Sequence, residues 1–243
     1  MRRAGLLVVV AACGSSTPPP KPPEPPVAVT PTRVPIEEEE PEDGVSFVGS
    51  RGKMDIAAIE EGIAPHKQAL SDCYLTHLRQ RRWLGGRILL HWEIDKDGAV
   101  TSVRLDDTEP GAHLGNWPIE KCILDVARQA TFAKPVGGDA DFQVPLEFAA
   151  RGRLAVWTED QALRAVGGQT VKLDACAKGK VPRPEGVTVT LYVGPGGKAK
   201  SVGFTSSKGA IDDAWAACAE KAAMSWRLPD PRGVIAKLHV TYD

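Results

Sequence analysis

The sequence lacks most of what an enzyme or a nucleic-acid binder needs. It has no Gly-x-Ser-x-Gly elbow, no Gly-Lys-Ser/Thr phosphate loop and no Cys-x-x-Cys pair. Histidine is scarce and dispersed, at His66, His77, His91, His113 and His239, which argues against a zinc site. Neither sign of charge dominates: 30 Lys and Arg stand against 31 Asp and Glu, so no basic footprint for a phosphate backbone exists. Two stretches imitate ligand loops and fail. Glu93, Asp95, Asp97 and Gly98 begin like a calcium loop, but Arg104 stands where the bidentate glutamate belongs. The run Gly194-Pro195-Gly196-Gly197-Lys198 leads into a strand pattern, where a phosphate loop requires a helix. The adjacent acids Asp106 and Asp107 read as solvated loop residues, and Trp83 and Trp117 as exposed flanks of a sheet. No catalytic residue, metal ligand or cofactor is expected.

What the sequence does have is a repeat. In 87–105, Ile88, Leu90, Trp92 and Ile94 alternate with polar or outward residues. Asp95-Lys96-Asp97-Gly98 then turns the chain into Val100, Val103 and Leu105. The pattern recurs ungapped at 186–204, with Val187, Val189, Leu191 and Val193, a glycine-rich turn, then Ala199, Val202 and Phe204. Period-two alternation about a turn glycine predicts a β-hairpin each time, with Gly98 and Gly197 at matching positions. Two copies in 243 residues predict two small domains.

Each hairpin has helical patterns around it. Ile56, Ile59 and Ile63 share one face, and after Pro65 so do Leu70, Cys73, Tyr74 and His77. Asn116-Trp117-Pro118 caps and starts a helix carrying Ile119, Cys122, Ile123 and Val126. Phe142, Val144, Leu146 and Phe148 then form a closing strand. Pro145 within it lacks a ladder donor, which predicts an edge or an outward-facing position. The second copy offers Val166 to Cys176, a helix with Ile211, Trp215, Cys218 and Trp226, and a strand over 234–242. Thr158 and Gln161 make a capping box, and Leu154 and Val156 extend the sheet. The predicted fold is α+β, two tandem modules at 54–150 and 151–243, each an antiparallel sheet against helices.

Leaving Cys13 aside, four cysteines fall two per copy and allow three pairings. Only Cys73 with Cys122 and Cys176 with Cys218 keep each bond inside its repeat. On the loop-entropy account each bond contributes roughly 4 kcal/mol.

Ahead of the modules, Arg2 and Arg3 precede an apolar run over 4–12, too short for the roughly 20 residues a spanning helix takes. The ending Val10-Ala11-Ala12-Cys13 resembles a bacterial lipoprotein lipobox. The resemblance implies removal of 1–12, lipidation of Cys13 and anchoring to the envelope. Gly14, in place of Asp, points to the outer membrane. Two or three acyl chains suffice for stable anchoring. Ten of the chain's 20 prolines then lie between Pro18 and Pro41, followed within that span by the acidic run 37–40. This composition predicts a lipid-anchored, disordered spacer over 13–53, at about 3.1 Å per residue where extended. A ligand for a proline-recognition domain is the other reading of it.

With the paired cysteines, Leu84-Gly85-Gly86-Arg87, the Asp-Gly turn and Phe132-Ala133-Lys134-Pro135 before Gly137-Gly138 in view, 55–148 resembles the AgmX/PglI-type C-terminal domain. That family is similar to the TonB C-terminal domain. It implies protein contacts within the envelope, no catalysis, and capture of partner segments by strand addition to a sheet edge. The expected partner is therefore another envelope protein. Glycan binding through Arg81 and Arg82 is the alternative.

Overall fold

The computed structural model describes residues 44–49, 52–78 and 81–242. The lipobox with Cys13, the spacer up to residue 43, and Arg79 lie outside the described residues. The chain divides into Met1–Glu38 and Glu39–Asp243, and all described residues belong to the second, compact unit.

The unit is α+β, with two four-stranded sheets. The first has the order β1-β4-β2-β3, from β1 (Ser46–Phe47), β2 (Gly86–Ile94), β3 (Val100–Asp106) and β4 (Ala140–Phe148). The second has β5-β8-β6-β7, from β5 (Leu154–Val156), β6 (Val187–Gly194), β7 (Lys198–Ser206) and β8 (Ile235–Tyr242). Helices α1 (Ile56–Ile63), α2 (Lys67–Leu78) and α3 (Trp117–Ala127) accompany the first sheet. The second has α4 (Glu159–Val166), a 3-10 run at Gln169–Cys176, and α5 (Asp213–Met224).

The repeat is realised residue for residue. Leu90 faces Leu105 and Trp92 faces Val103 in the first hairpin; Val189 faces Phe204 and Leu191 faces Val202 in the second. Both hairpins shift register at the same point, after Glu93 and after Tyr192. Gly98 and Gly197 take φ of +88° and +68°. A Cβ on either would lie 2.3 Å from the Phe132 carbonyl oxygen or 1.7 Å from that of Leu228. Only glycine combines the left-handed turn with so close an approach.

Capping follows the sequence. Asn116 Oδ1 accepts from Ile119 N, Thr158 and Gln161 form the capping box, and Asp212 accepts from Ala214 and Trp215. The alternating apolar residues of the strands face the helices, and Trp92, Trp215 and Trp226 are fully buried among them. Cystines Cys73–Cys122 and Cys176–Cys218 join the helical segments on either side of each hairpin, with Cα atoms 5.6 Å apart in both.

Several expectations need correction. Trp117 is buried, packed edge-on against Phe204, since the second sheet covers it. Asp106 is fully buried at the end of β3, and Asp107 accepts from Thr188 Oγ1 at 2.7 Å, so neither is a solvated loop acid. The first sheet also reaches back before residue 54. The proline-free Val45-Ser46-Phe47-Val48 supplies β1, which pairs with Gln143 and Phe142. Among the described residues no helix is long and apolar enough to cross a membrane.

Candidate functional site: an apolar cleft beside a half-covered strand edge

The outer edge of β4 is covered over only part of its length. β1 pairs with Phe142 and Gln143, and among the described residues no strand pairs with Val144 to Phe148 on that side. Val48 N–H donates to the Asp141 carbonyl at 3.4 Å, which shows that the backbone groups of Asp141 face β1. Strand alternation then turns Gln143, Pro145 and Glu147 the same way. Pro145 therefore sits where its missing N–H costs the β2 ladder nothing, as an edge position requires. Glu147 is left as the residue presenting both N–H and C=O outward.

Beside this edge lies a cleft of about 430 Å³ between β4 and the α1–α2 pair. One wall is Ile59, Ile63, Leu70 and Tyr74; the other is Val144, Leu146 and Phe148, with Val45 at the mouth. Glu60, Lys67, Ser71 and Glu147 add polar groups to the lining. The Tyr74 hydroxyl closes one end, donating to Leu84 O at 2.8 Å and lying 3.3 Å from Ala149 O, while its ring packs 4.6 Å from that of Phe148. Burial pushes the Tyr74 pKa up, against the pull of Arg151, so it is a neutral donor. An unpaired strand edge next to an apolar trough has the chemistry to hold an extended segment: backbone groups take its backbone, and the trough takes alternate side chains.

A second assembly of polar groups joins the two sheets. Glu120, on α3, is fully buried. Its carboxylate accepts from Gly115 N at 2.8 Å and Asn116 N at 3.1 Å, and from Phe204 N on β7 at 2.7 Å. Burial pushes its pKa up to about 7, against these three N–H donors, which favour the charged form. A Cβ on Gly203 would lie 2.1 Å from Glu120 Oε1, so only glycine admits the carboxylate. Around it Ser201 donates to Gly115 O, Tyr192 donates to Gly85 O, Lys237 Nζ donates to His113 O, and His113 Nδ1 lies 3.1 Å from Thr205 Oγ1. Burial pulls His113 down to about 4 and Lys237 down to about 8. Sequence reasoning missed this joint. A glycine inside β7, where a strand gains nothing from one, was the available signal of a close approach.

On the outer face of the first sheet, Arg104 donates to Glu93 at 2.7 Å and to Asp106 at 3.1 Å, and its Nη2 lies 3.0 Å from His91 Nδ1. Burial of Asp106 would raise its pKa, but hydrogen bonds from His91 and Thr108, with the Arg104 guanidinium, hold it well below the usual carboxylate range. Of the residues singled out from sequence, Cys73, Cys122, Cys176 and Cys218 serve as cystines. Arg81 and Arg82 are exposed, away from the cleft lining. No group of metal-ligating side chains occurs among the described residues. Comparison with protein-family models, curated proteins and solved structures finds no match for this chain.

Proposed function

We propose that this chain is a lipid-anchored, non-enzymatic protein of the bacterial envelope, tethered through Cys13, whose two TonB-like modules bind another envelope protein. The first module takes an extended segment of that partner along β4. The observation that carries this reading is the edge from Val144 to Phe148, unpaired on one side among the described residues and flanked by the apolar cleft. The chain's own preceding sequence is a poor occupant. Its acids, Glu42, Asp43 and the run 37–40, suit neither an apolar trough nor a place beside Glu147. A foreign segment with alternating apolar residues fits better.

Binding of a soluble, lysine-flanked peptide of alternating valine and threonine, followed by titration calorimetry, tests the reading. Glu147→Pro removes an outward N–H without touching the β2 ladder, and it should weaken binding by about tenfold while leaving the melting temperature unchanged. Unchanged affinity, with sedimentation on purified wall material that depends on Arg81 and Arg82, would replace strand capture by glycan binding. A Cys13→Ser variant that stays with membranes would remove the anchor from the reading.

A further inference from the structure

β1 lies on the same strand edge that a bound partner would use. It is two residues long, and both are exposed, Phe47 by 45%. Its side-chain tie to β4 is a single Ser46 to Gln143 contact at 3.5 Å, at the limit of hydrogen bonding. Left-handed glycines bracket it, Gly44 at φ +68° and Gly49 at φ +65°, so the strand is confined to the residues between them. Val45, which enters with it, reaches the mouth of the cleft and buries there. The segment thus makes a small imitation of what a captured strand would make: backbone pairing on β4 and one apolar side chain in the trough.

From this we infer that 44–49 is a displaceable strap, and that the partner strand takes the β4 edge from Phe142 to Phe148 by driving β1 off it. The inference rests on the strand-capture reading above. Pro145 gives a reason for the displacement. An incoming strand confined to the uncovered part of β4 meets Pro145, which donates nothing, and Glu147 as the other outward-facing residue. Extending over Gln143 adds the outward backbone groups that β1 now holds. Leaving the cleft mouth also removes Val45 from the path of the partner's side chains. Apart from Val45, whose place in the trough the partner's side chains would take, the strap buries little apolar surface to be exposed on release. The strap therefore keeps Phe142 and Gln143 paired when no partner is present, a short cover of the kind that keeps free edges from pairing with the wrong chain.

The test uses the full chain and the same valine–threonine peptide. A Ser46→Cys/Gln143→Cys variant, its extra bond verified by mass, locks β1 onto β4; Ser46→Cys alone is the unlocked control. Ser46→Pro, in an exposed strand outside the core, frees the edge without a buried change. The lock should weaken peptide binding about tenfold or more relative to the control, and Ser46→Pro should tighten it by about three- to tenfold. A lock that changes affinity by less than about threefold, with peptide still bound, overturns the strap and leaves strand capture standing. Absence of peptide binding to wild type, control and Ser46→Pro alike overturns strand capture itself, and the strap with it. Matching melting curves for the control and Ser46→Pro show that each variant is folded when it is measured.

Discussion

The two halves of the described chain share their inner framework and differ at their outer edges. Three long strands run in corresponding order, β4-β2-β3 and β8-β6-β7, with the same hairpin register and one cystine apiece. Outside them, the first half adds antiparallel β1 over Phe142 and Gln143 and holds α1 and α2 off β4 across the cleft. In the second, β5 runs parallel over Ile235, Ala236 and Lys237, and α4 packs against β8. A 3-10 run at Gln169–Cys176 takes the place of α2 there, and Asp174 from it accepts from Tyr242 at the end of β8. One framework thus carries two partly covered edges, one under β1 at Phe142 and Gln143 beside the cleft, the other under β5 at Ile235 to Lys237. The difference is made by the short segments ahead of each hairpin, and the hairpins themselves do not distinguish the halves.

Removing a cystine tests whether the shared framework is equally needed on both sides. Cys73→Ala/Cys122→Ala opens a loop of 49 residues and Cys176→Ala/Cys218→Ala one of 42. Loop entropy grows only logarithmically, so each should cost about 4 kcal/mol in urea unfolding, nearly the same for both. Because Glu120 and its neighbours bury polar groups between the sheets, either variant should shift one common transition. Two separable transitions would show that the halves unfold independently.

The corresponding position in the two hairpins is Arg104 in the first and Gly203 in the second. Arg104 extends across the outer face to Glu93 and Asp106. Gly203 is bare so that Glu120 can reach Phe204 N. Gly203→Ala should therefore cost about 3 kcal/mol through steric conflict at the joint, measured by the same unfolding curves. The Gly62→Ala change makes a contrast: its Cβ would meet Phe132 ring atoms at 2.4 and 2.8 Å and the Thr131 carbonyl oxygen at 2.9 Å, away from the joint. If Gly203→Ala were neutral, the two outer faces would not be specialised as described.

These particulars show what the sequence could convey. The hairpins, caps and cystines were legible because each is a local pattern: alternation, a capping residue, a left-handed glycine, a cysteine at a repeated place. Pro145 marked an edge for the same reason. β1 was not legible, since a two-residue strand has no period and lies behind a long proline-rich stretch. Nor was the cleft, which depends on how far α1 and α2 stand from β4. Trp117 and Asp107 were misread by one mechanism. Each is covered by a partner distant in sequence, Phe204 and Thr188, and burial between sheets leaves no signature in either segment alone. Asp106 is instead taken up within its own sheet, by Arg104 two residues before it and His91 on the neighbouring strand.

The joint has a pH behaviour of its own, set by two groups of opposite kind. Glu120 has its pKa raised from 4.5 to about 7, so the folded state holds its proton more tightly and stability from this group falls as pH rises between those values. His113 is lowered from 6.5 to about 4; the folded state resists its proton, and stability from this group falls as pH drops through that range. Between about 4.5 and 6.5 the two slopes oppose each other, each near 1.4 kcal/mol per pH unit at most. Single variants should uncover them. Relative to wild type, Glu120→Gln should gain stability as pH rises from about 5 to 7, on top of a constant loss for the misplaced amide. His113→Phe should gain as pH falls from about 6 to 4.5. Differences that stay flat with pH in both variants would mean that neither group titrates in the joint. Asp106 acts elsewhere: its lowered pKa adds stability above the ordinary carboxylate range, lost only in strong acid.

The smallest effect separates the buried joint from its rim. Helices α3 and α5, which correspond in the two halves, meet where Lys121 Nζ lies 3.0 Å from Asp213 Oδ2 and Arg128 lies 3.7 Å from Asp213 Oδ1. Three side chains about 40% exposed hold their charges in water, and Asp125 competes for both cations. Asp213→Asn should accordingly cost no more than about 0.5 kcal/mol, and the cost should vanish in molar salt, where screening acts within about 3 Å. Gly203→Ala, acting through packing, should keep its full cost at the same salt concentration. A salt-sensitive loss from Asp213→Asn that matched or exceeded the Gly203→Ala loss would move the joint from the Glu120 carboxylate to the helix surface. The two sheets would then be held together chiefly by charge at the rim.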